Sequence, residues 1–375
     1  MKKILFITTR NPFSTRFSGD VIGSKKIINT LKKNNLLDVV ALGKKEDFSQ
    51  KNIFIFREPI KLLKIFYVIK SLIYMQPLQF GLFYSGKMKK FIIDRALDYD
   101  VIFCYHIRSI QYLPEHFYGK KIIEMGDLIS DNYKQTFYSL NILNPLKYIF
   151  FLESFFVKNI EKNILINFDK IILFSKNEIK KIDKLFLKKI VHINVSIDQI
   201  KRKYFFSKDN SKILFIGNLK YLPNILAVKS FIIETLPKLR EKIPNIKFEV
   251  IGEISSFNKF LLSFYKSVKF RGVQKNLDKF IKGSICGLAN LKIATGIQGK
   301  ILTYMSYGLP VICSNKASQN FNKSVISYTE NHNLINIIVK LKDNKKISNQ
   351  ISKKSIKFIK NYSWKKIEKQ YIKII

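Results

Sequence analysis

The stretch from Ala294 to Ile312 carries the residue types that could hold a phosphate group. Gly296 and Gly299 precede a short helix indicated by apolar residues at helical spacing, and Lys300 lies in its first turn. Glycine lets backbone amides approach an anion closely, and the helix dipole favours negative charge at the N-terminus. Gly308 then predicts the end of the helix. The spacing fits a diphosphate site, and it fits an ordinary loop–helix–strand connection equally well.

A second candidate phosphate-binding loop follows an apolar run that ends at Gly217. Asn218 and Lys220 could both reach phosphate oxygens, and Asn224 is a natural N-terminal cap for the next helix. The loop would lie at the carboxyl end of a parallel strand, which is the usual ligand edge of an open sheet. The alternative is that Asn224 only caps the helix and that Lys220 faces solvent.

Polar residues also follow three predicted strands in the first half of the chain. The long loop after the first strand contains Arg16 and Gly19, while His106 and Asp127 come directly after two later strands. We expect these positions to share the ligand edge of one sheet. A histidine after a strand is more often packed or solvated than catalytic, and Asp127 could equally cap the following helix.

The apolar pattern supplies the elements that would position these residues. Short apolar strands alternate with amphipathic helices, which predicts a parallel sheet wrapped by helices. A polar stretch at residues 207–211 interrupts the pattern, and a new strand then restarts it, so the 375 residues are expected to form two α/β domains. The predicted strands cover residues 3–8, 39–42, 52–56, 101–105, 121–124 and 170–174, then 212–217, 246–251, 268–270, 285–288 and 311–313.

The order of these motifs resembles that of retaining glycosyltransferases of the GT-B fold, in the large family 4 group. The similarity is strongest over residues 212–315. It rests on Gly-Asn-Leu-x-Tyr-x-Pro-Asn at 217–224, Phe-Arg-Gly-Val at 270–273 and Gly-Ile-Gln-x-Lys-Ile-Leu-x-Tyr-Met at 296–305, with Met-Gly-Asp-Leu-Ile-Ser at 125–130 in the first half.

The resemblance implies two Rossmann-like domains that face a cleft. Residues 1–205 would form the acceptor-side domain, residues 206–360 the nucleotide-sugar-binding domain, and residues 361–375 a helix that returns to the first domain. The sugar donor's diphosphate would rest on the loop at 296–300. No metal or other cofactor is implied, because basic side chains and amides would stabilise the departing nucleotide.

The resemblance also assigns roles to individual residues. Asp127 and His106 would lie near the reacting sugar as catalytic residues, and the loop with Arg16 and Gly19 would lie on the acceptor side. The residues implied to bind the nucleotide-sugar donor are Gly217, Asn218, Lys220, Thr295, Gly296, Ile297, Gln298, Lys300 and Thr303.

Two threonines depart from the family pattern. The family carries two glutamates with seven residues between them, and Thr295 and Thr303 occupy those positions here. The second glutamate typically holds the donor ribose, and a threonine cannot grip a diol as a carboxylate does. Losing that charge-assisted bond weakens donor binding by about 1.5–3 kcal/mol. An active transferase and a catalytically silent relative both fit this departure.

The net charge of +40 suits nucleic acid, an anionic bilayer or an anionic substrate, and a compositional bias toward lysine explains it equally. No nucleic-acid module is recognisable in the sequence, so nucleic acid is not expected as a partner. The segments 59–74 and 148–158 are apolar, aromatic and basic, as in helices that lie among lipid headgroups. Each segment alone also fits a core helix with exposed lysines. With the charge and the resemblance, they favour peripheral contact with an anionic membrane.

Three cysteines in apolar runs are expected to be reduced and buried, and the four histidines show no metal-ligand spacing. No segment approaches the roughly 18 apolar residues of a spanning helix, and the first apolar run is short for an export signal. We therefore expect a cytoplasmic protein, peripheral on the inner face of the membrane. It would transfer sugar from a nucleotide-sugar to a glycan or lipid-linked acceptor in cell-surface polysaccharide or lipopolysaccharide synthesis.

Overall fold

The computed structural model describes residues 1–15, 18–197, 199–321 and 324–375. The chain forms two compact units, one from Met1–Asn194 with Lys365–Ile375 and one from Val195–Trp364. Each unit has its own parallel sheet and its own buried apolar core. Among the described residues, none of the helices combines the length and the apolar character needed to cross a membrane.

The first unit is built on a seven-stranded sheet in the order β3-β2-β1-β4-β5-β6-β7, with all neighbouring strands parallel. Its strands are β1 (Lys3–Thr8), β2 (Leu36–Gly43), β3 (Ile53–Arg57), β4 (Val101–Tyr105), β5 (Lys120–Gly126), β6 (Lys170–Leu173) and β7 (Ile190–His192). Its helices are α1 (Gly19–Leu31), α2 (Lys61–Ile73), α3 (Leu78–Leu82), α4 (Gly86–Arg95), α5 (Ile129–Ser139), α6 (Leu146–Asn167) and α7 (Lys176–Ile179).

The second unit has a six-stranded parallel sheet in the order β10-β9-β8-β11-β12-β13. Its strands are β8 (Lys212–Ile216), β9 (Lys247–Ile251), β10 (Val268–Phe270), β11 (Ser284–Ala289), β12 (Val311–Ser314) and β13 (Ile326–Tyr328). Its helices are α8 (Leu222–Ser230), α9 (Leu236–Lys242), α10 (Ser256–Ser263), α11 (Asp278–Ile281), α12 (Gly299–Ser306), α13 (Asn315–Ser318), α14 (Asn331–Asp343) and α15 (Lys345–Ile359).

The long helix predicted after β8 is interrupted. A π turn at Phe231–Thr235 separates α8 from α9, whose first turn contains Pro237. Proline has no N–H to donate to the preceding turn, so the helix widens there. One apolar face points inward along α8, the π turn and α9: Ile225, Val228, Ile232, Leu236 and Leu239 are all buried.

The last helix, α16 (Trp364–Ile374), packs within the first unit. The Tyr371 hydroxyl donates a hydrogen bond to the Glu124 carboxyl group of β5, and both side chains are buried. Burial raises the pKa of Glu124 to about 8, although the hydrogen bond from Tyr371 opposes that rise. A buried polar contact therefore holds the C-terminal helix against a central strand.

Each sheet has one place where the direction of strand succession reverses, between β1 and β4 in the first unit and between β8 and β11 in the second. Loops that leave adjacent strands in opposite directions open a crevice at the carboxyl edge, where ligands of such folds bind. The functional side chains predicted from the sequence cluster at these two edges.

Candidate active site

A pocket of about 220 Å³ lies at the carboxyl edge of β1, β4 and β5 in the first unit. The structure brings the two sequence-predicted residues His106 and Asp127 together in its lining. Arg10, Asp20 and Arg108 line the same pocket. Of the predicted acceptor-side residues, Gly19 is the first residue of α1 and is not part of the lining, and Arg16 lies outside the described residues.

His106 has a left-handed backbone, with a φ of 65° that is unusual for a residue other than glycine. Its N–H donates to the Glu124 carbonyl oxygen at 2.9 Å, which holds the residue at the end of β4. Burial, reinforced by the nearby Arg108 charge, lowers the pKa of His106 to about 4. The imidazole is therefore neutral at pH 7, and it can accept or donate a hydrogen bond without carrying charge.

One ion pair and one hydrogen bond to a neutral side chain hold the two arginines of this pocket within the first unit. The Arg10 guanidinium forms an ion pair with the Asp20 carboxylate. Burial acts to raise the pKa of Asp20, but a hydrogen bond from Ser18 and the Arg10 charge lower it overall. Arg108 donates from Nε to the Gln79 side-chain oxygen at 3.0 Å. Ionised groups of both signs thus meet in one small pocket.

Asp127 is presented by a turn that requires glycine. Gly126 has a φ of 75°, and a Cβ atom at that position would lie 3.0 Å from the Phe174 ring. Beside Asp127 lies Glu178, which is only 3% exposed. Burial, followed by the negative charge of Asp127, raises the pKa of Glu178 to about 8. Glu178 was not among the predicted site residues, because nothing in its local sequence shows that it meets Asp127.

In the second unit, the loop after β8 is tied to α12 by Asn224. The Asn224 side chain donates to the Asn218 carbonyl oxygen at 2.9 Å and accepts from the Lys300 ammonium at 2.5 Å. The prediction that Asn224 caps the helix is wrong, because α8 begins at Leu222 and its N-cap residue is Tyr221. Pro223 in the first turn was the signal for this earlier start.

Lys300 lies inside the carboxyl edge of the second sheet. Its ammonium stands 4.2 Å from the centre of the Phe215 ring, in addition to its contact with Asn224. Burial lowers the pKa of Lys300 to about 7. Within the described residues, no carboxylate forms an ion pair with it. A cation that is desolvated and lacks a counter-ion is favourably placed to bind an anion.

The loop before α12 exposes the start of that helix. Gly296 has a φ of 61°, and its carbonyl accepts from the Asn320 side chain at 2.6 Å. The Gln298 side chain donates to the Thr295 carbonyl oxygen at 2.8 Å, and none of the described side chains caps α12. The amides at the start of this helix are therefore available to a ligand, together with the positive end of its dipole. Ile297 is half-buried beside them.

Thr303 lies one turn into α12, and its hydroxyl donates to the Gly299 carbonyl oxygen at 3.0 Å. The hydroxyl hydrogen is thus used within the helix, which leaves the oxygen free only to accept.

Lys220 forms an ion pair with Glu253, and both side chains are about half exposed. Gly217 lies close to Gly252, where a Cβ atom would stand 1.9 Å from the Gly217 carbonyl oxygen. Lys220 is thus partly neutralised, whereas Lys300 is not.

Tyr304 fixes α12 to the sheet, and sequence analysis gave it no role. Its hydroxyl accepts from the Ile216 amide at 2.7 Å and lies 3.2 Å from the carbonyl oxygens of Leu214 and Leu288. Gly287 lies beneath the ring, where a Cβ atom would come within 2.3 Å of it. One buried hydroxyl therefore joins α12 to both β8 and β11, the two strands that border the crevice.

Comparisons with known proteins agree with this architecture. Residues 210–353, which lie within the second unit, match the sequence profile of a family described as "Glycosyl transferases group 1". No curated protein matches the chain in sequence. The second unit thus contains a glycosyltransferase group 1 domain, and the resemblance to GT-B glycosyltransferases is confirmed.

Solved structures match the chain over its whole length. TarM of S. aureus has a TM-score of 0.67 at 10% identity, covering 100% of this chain and 98% of its own. HepE of Anabaena, in complex with UDP and glucose, has a TM-score of 0.66 at 12% identity, with coverages of 100% and 99%. WaaG, a glycosyltransferase involved in lipopolysaccharide biosynthesis, has a TM-score of 0.65 at 11% identity, with coverages of 99% and 99%. The fold is two Rossmann-like units of the GT-B type.

Proposed function

We propose that this chain, whose second unit is a glycosyltransferase group 1 domain, is an active family 4-like glycosyltransferase that retains the sugar's anomeric configuration. It would transfer a sugar from a nucleotide-sugar to a glycan or lipid-linked acceptor in cell-surface polysaccharide or lipopolysaccharide synthesis. TarM, HepE and WaaG share its fold, and WaaG is named for a role in lipopolysaccharide biosynthesis. The observation that carries the proposal is the half-buried Lys300, which has no carboxylate partner among the described residues.

The sugar donor's diphosphate would bind where Lys300 meets the N-terminus of α12. Breaking the bond between the anomeric carbon and the diphosphate leaves additional negative charge on the phosphate oxygens. Lys300 and the amides near Gly299 would stabilise that charge, so we propose that the reaction needs no divalent ion. Gly217, Asn218 and Lys220 lie on the neighbouring loop of the same edge.

The nucleotide's ribose would lie near Thr303. Because the Thr303 hydroxyl already donates to Gly299, it can only accept a hydrogen bond from a ribose hydroxyl. We therefore expect affinity for the nucleotide to rest more on the diphosphate than on the ribose. The phosphate groups would anchor the ligand, and the ribose would contribute less.

The pocket of the first unit would bind the acceptor. Arg10 is paired with Asp20, and His106 is neutral, which suits the hydroxyl groups of a glycan better than an anion. Asp127, which lines this pocket, would accept hydrogen bonds from acceptor hydroxyls. We propose that Asp127 and His106 contact the acceptor and the reacting sugar, and that the loop containing Arg16 and Gly19 borders them.

A silent relative that binds partners without transferring sugar is the second candidate. Thr295 and Thr303 stand where the family pattern has glutamates, and this observation favours it. Thr303→Glu distinguishes the two candidates by nucleotide titration. A gain of about tenfold or more in nucleotide affinity indicates a site that has lost affinity for the donor, whereas no gain indicates a site adapted to threonine.

Calorimetric titration with UDP, GDP, ADP and CMP tests the proposed function directly. We expect one nucleotide to bind in a manner unaffected by EDTA, and binding to fall in Lys300→Met, which keeps the apolar stem and removes the charge. Lys292→Met is the matched control, since Lys292 is an exposed lysine of the loop that precedes α12. If the folded protein binds none of the four nucleotides, the active-transferase proposal fails.

A further inference from the structure

Helix α2 in the first unit turns most of its apolar side chains to solvent. Leu62 is 74% exposed, Phe66 59% and Ile73 72%. Among the residues of α2, all of which the structure describes, only Ser71 is buried. Lys64 is partly buried and forms an ion pair of 2.9 Å with Glu58. Surface helices of globular domains show the opposite arrangement, so this helix is inverted with respect to water. The core-helix alternative is therefore wrong for α2.

The inverted helix is firmly held from its inner side. At Gly81 of α3, a Cβ atom would lie 2.4 Å from the Tyr67 carbonyl oxygen, so the two helix backbones touch. The rings of Tyr67 and Tyr84 are 4.8 Å apart and meet edge to face. Because α2 is anchored through this closely packed side, its outward apolar side chains are a fixed feature of the surface.

Helix α6 lies beside this helix pair and also turns apolar side chains to solvent. The carboxylate of Glu153 accepts a hydrogen bond from the Leu78 amide at the start of α3, which places α6 beside the α2–α3 pair. Around the N-terminus of α6, Leu143 is 88% exposed, Phe151 53% and Phe155 51%. The α2–α6 surface is defined here by the exposed apolar side chains of Leu62, Leu63, Ile65, Phe66, Ile69, Leu72, Ile73, Ile142, Leu143, Leu146, Tyr148, Ile149, Phe151, Leu152 and Phe155.

The charges on these two helices are distributed asymmetrically. Helix α2 contains no acidic residue, and the two acidic residues of α6, Glu153 and Glu161, are 5% and 2% exposed. Their carboxylates contact groups of the first unit, and Glu161 accepts from the Ser130 amide at 3.0 Å. The exposed charged residues of α2 and α6 are lysines: Lys61, Lys70, Lys158 and Lys162.

We propose that the α2–α6 surface docks on an anionic lipid bilayer. Its apolar side chains would enter the headgroup layer while its lysines contact lipid phosphates. A second copy of the chain fits less well, because the paired surfaces would bring lysines against lysines without opposing carboxylates. The proposal rests on the proposed function in one respect: a lipid-linked acceptor would be presented in the same headgroup layer.

Vesicle co-sedimentation of the full chain tests the docking surface without a sugar donor or an acceptor. The vesicles are phosphatidylcholine with phosphatidylglycerol, and phosphatidylcholine alone. The variant Leu62→Ser/Phe66→Ser/Ile69→Ser removes apolar area from α2. The control Leu97→Ser/Tyr118→Ser/Leu185→Ser alters three side chains of the first unit that are at least as exposed, at 79%, 91% and 82%. Thermal unfolding of each variant confirms that it is folded.

We expect the wild-type chain to bind the anionic vesicles more tightly than the neutral ones. The α2 variant should bind the anionic vesicles about tenfold or more weakly, since burying one such side chain changes a partition coefficient by roughly that factor. The control should bind as wild type. Equal losses in both variants, or no wild-type binding, would overturn the proposal. So would a dimer in sedimentation velocity that only the α2 variant disrupts. Donor binding is measured separately, so either proposal can fail alone.

Discussion

The carboxyl edges of the two sheets have the same architecture but a different balance of charge. In the first unit, Arg10 is paired with Asp20, and His106 is neutral. In the second unit, the half-buried Lys300 contacts Phe215 and Asn224 and has no carboxylate partner within the described part of the chain. The comparison shows that one scaffold can favour a hydroxylated ligand or an anion, according to whether its basic groups are compensated locally.

The largest expected effect is the loss of nucleotide binding in Lys300→Met. Removing a charge-assisted contact to the diphosphate should weaken binding by about 1.5–3 kcal/mol, which is roughly tenfold to hundredfold. Titration of the preferred nucleotide measures the change, with Lys292→Met as the control. Equal affinity in the Lys300→Met variant and the wild type would mean that the difference in charge between the two edges does not explain nucleotide binding.

Tyr304→Phe tests whether the second edge depends on how α12 is held. The substitution leaves the Ile216 amide without its hydrogen-bond acceptor and should cost about 1–3 kcal/mol of unfolding free energy. Nucleotide affinity should fall as well, because α12 carries Lys300. Denaturant unfolding and titration measure the two effects.

Tyr328→Phe provides the control for Tyr304→Phe. Tyr328 is buried in the same unit, and its hydroxyl makes no hydrogen bond to the residues that the structure describes. The Tyr328→Phe variant should lose little stability and no nucleotide affinity. If the Tyr304→Phe variant binds nucleotide as the wild type does, then Lys300 does not need the Tyr304 hydrogen bonds to bind nucleotide.

Asp20→Asn should make the first edge more like the second. Arg10 would lose its counter-ion, and the pocket should gain roughly tenfold in affinity for inorganic pyrophosphate. Titration in a Lys300→Met background isolates this site from the second unit. Asp131→Asn is the control, since its partner Lys181 lies outside the pocket. An unchanged affinity would mean that local compensation does not select the ligand.

A pH dependence of stability is expected from Glu124 in the first unit. Burial raises the pKa of Glu124 to about 8, so the folded chain keeps a proton that the unfolded chain loses near pH 4.5. This contribution to stability is full below that lower value and is lost as pH rises through about 8. Glu124→Gln keeps a partner for Tyr371 and does not titrate.

Melting temperatures measured between about pH 5 and about pH 9 should therefore fall less in Glu124→Gln than in wild type. Glu115→Gln, at an exposed position, should follow the wild-type curve. The Tyr304 contacts of the second unit involve no carboxylate, so a Tyr304→Phe variant should keep the wild-type dependence on pH. Parallel curves for wild type and Glu124→Gln would mean that Glu124 does not titrate in this range.

The strands of both sheets could be predicted because buried parallel strands are nearly continuous apolar runs. Strand β1 was predicted at its observed limits, and its residues from Ile4 to Ile7 are fully buried. Strands β7 and β13 were missed. Each has three residues at a sheet edge and includes half-buried positions, so its pattern is too short to recognise.

The site was only partly predictable. Glycines around a helix start, followed by Lys300, indicate an anion site from spacing alone. Local sequence could not show that Asn224 joins two loops, or that Glu178 meets Asp127, because both contacts depend on how separate βα units pack. The orientation of α2 was equally hidden, since a periodic apolar pattern does not say which face meets the sheet.

Proton uptake on nucleotide binding tests the central claim most directly. Titrations near pH 8 in buffers of different ionisation enthalpy report the protons taken up per nucleotide. Burial holds the pKa of Lys300 at about 7, so at pH 8 the Lys300 side chain is mostly neutral in the protein without ligand. A bound diphosphate should raise that pKa. We predict uptake approaching about one proton in wild type, and none in Lys300→Met at nucleotide concentrations that still saturate it. Binding without proton uptake, or equal uptake in both proteins, would contradict the account.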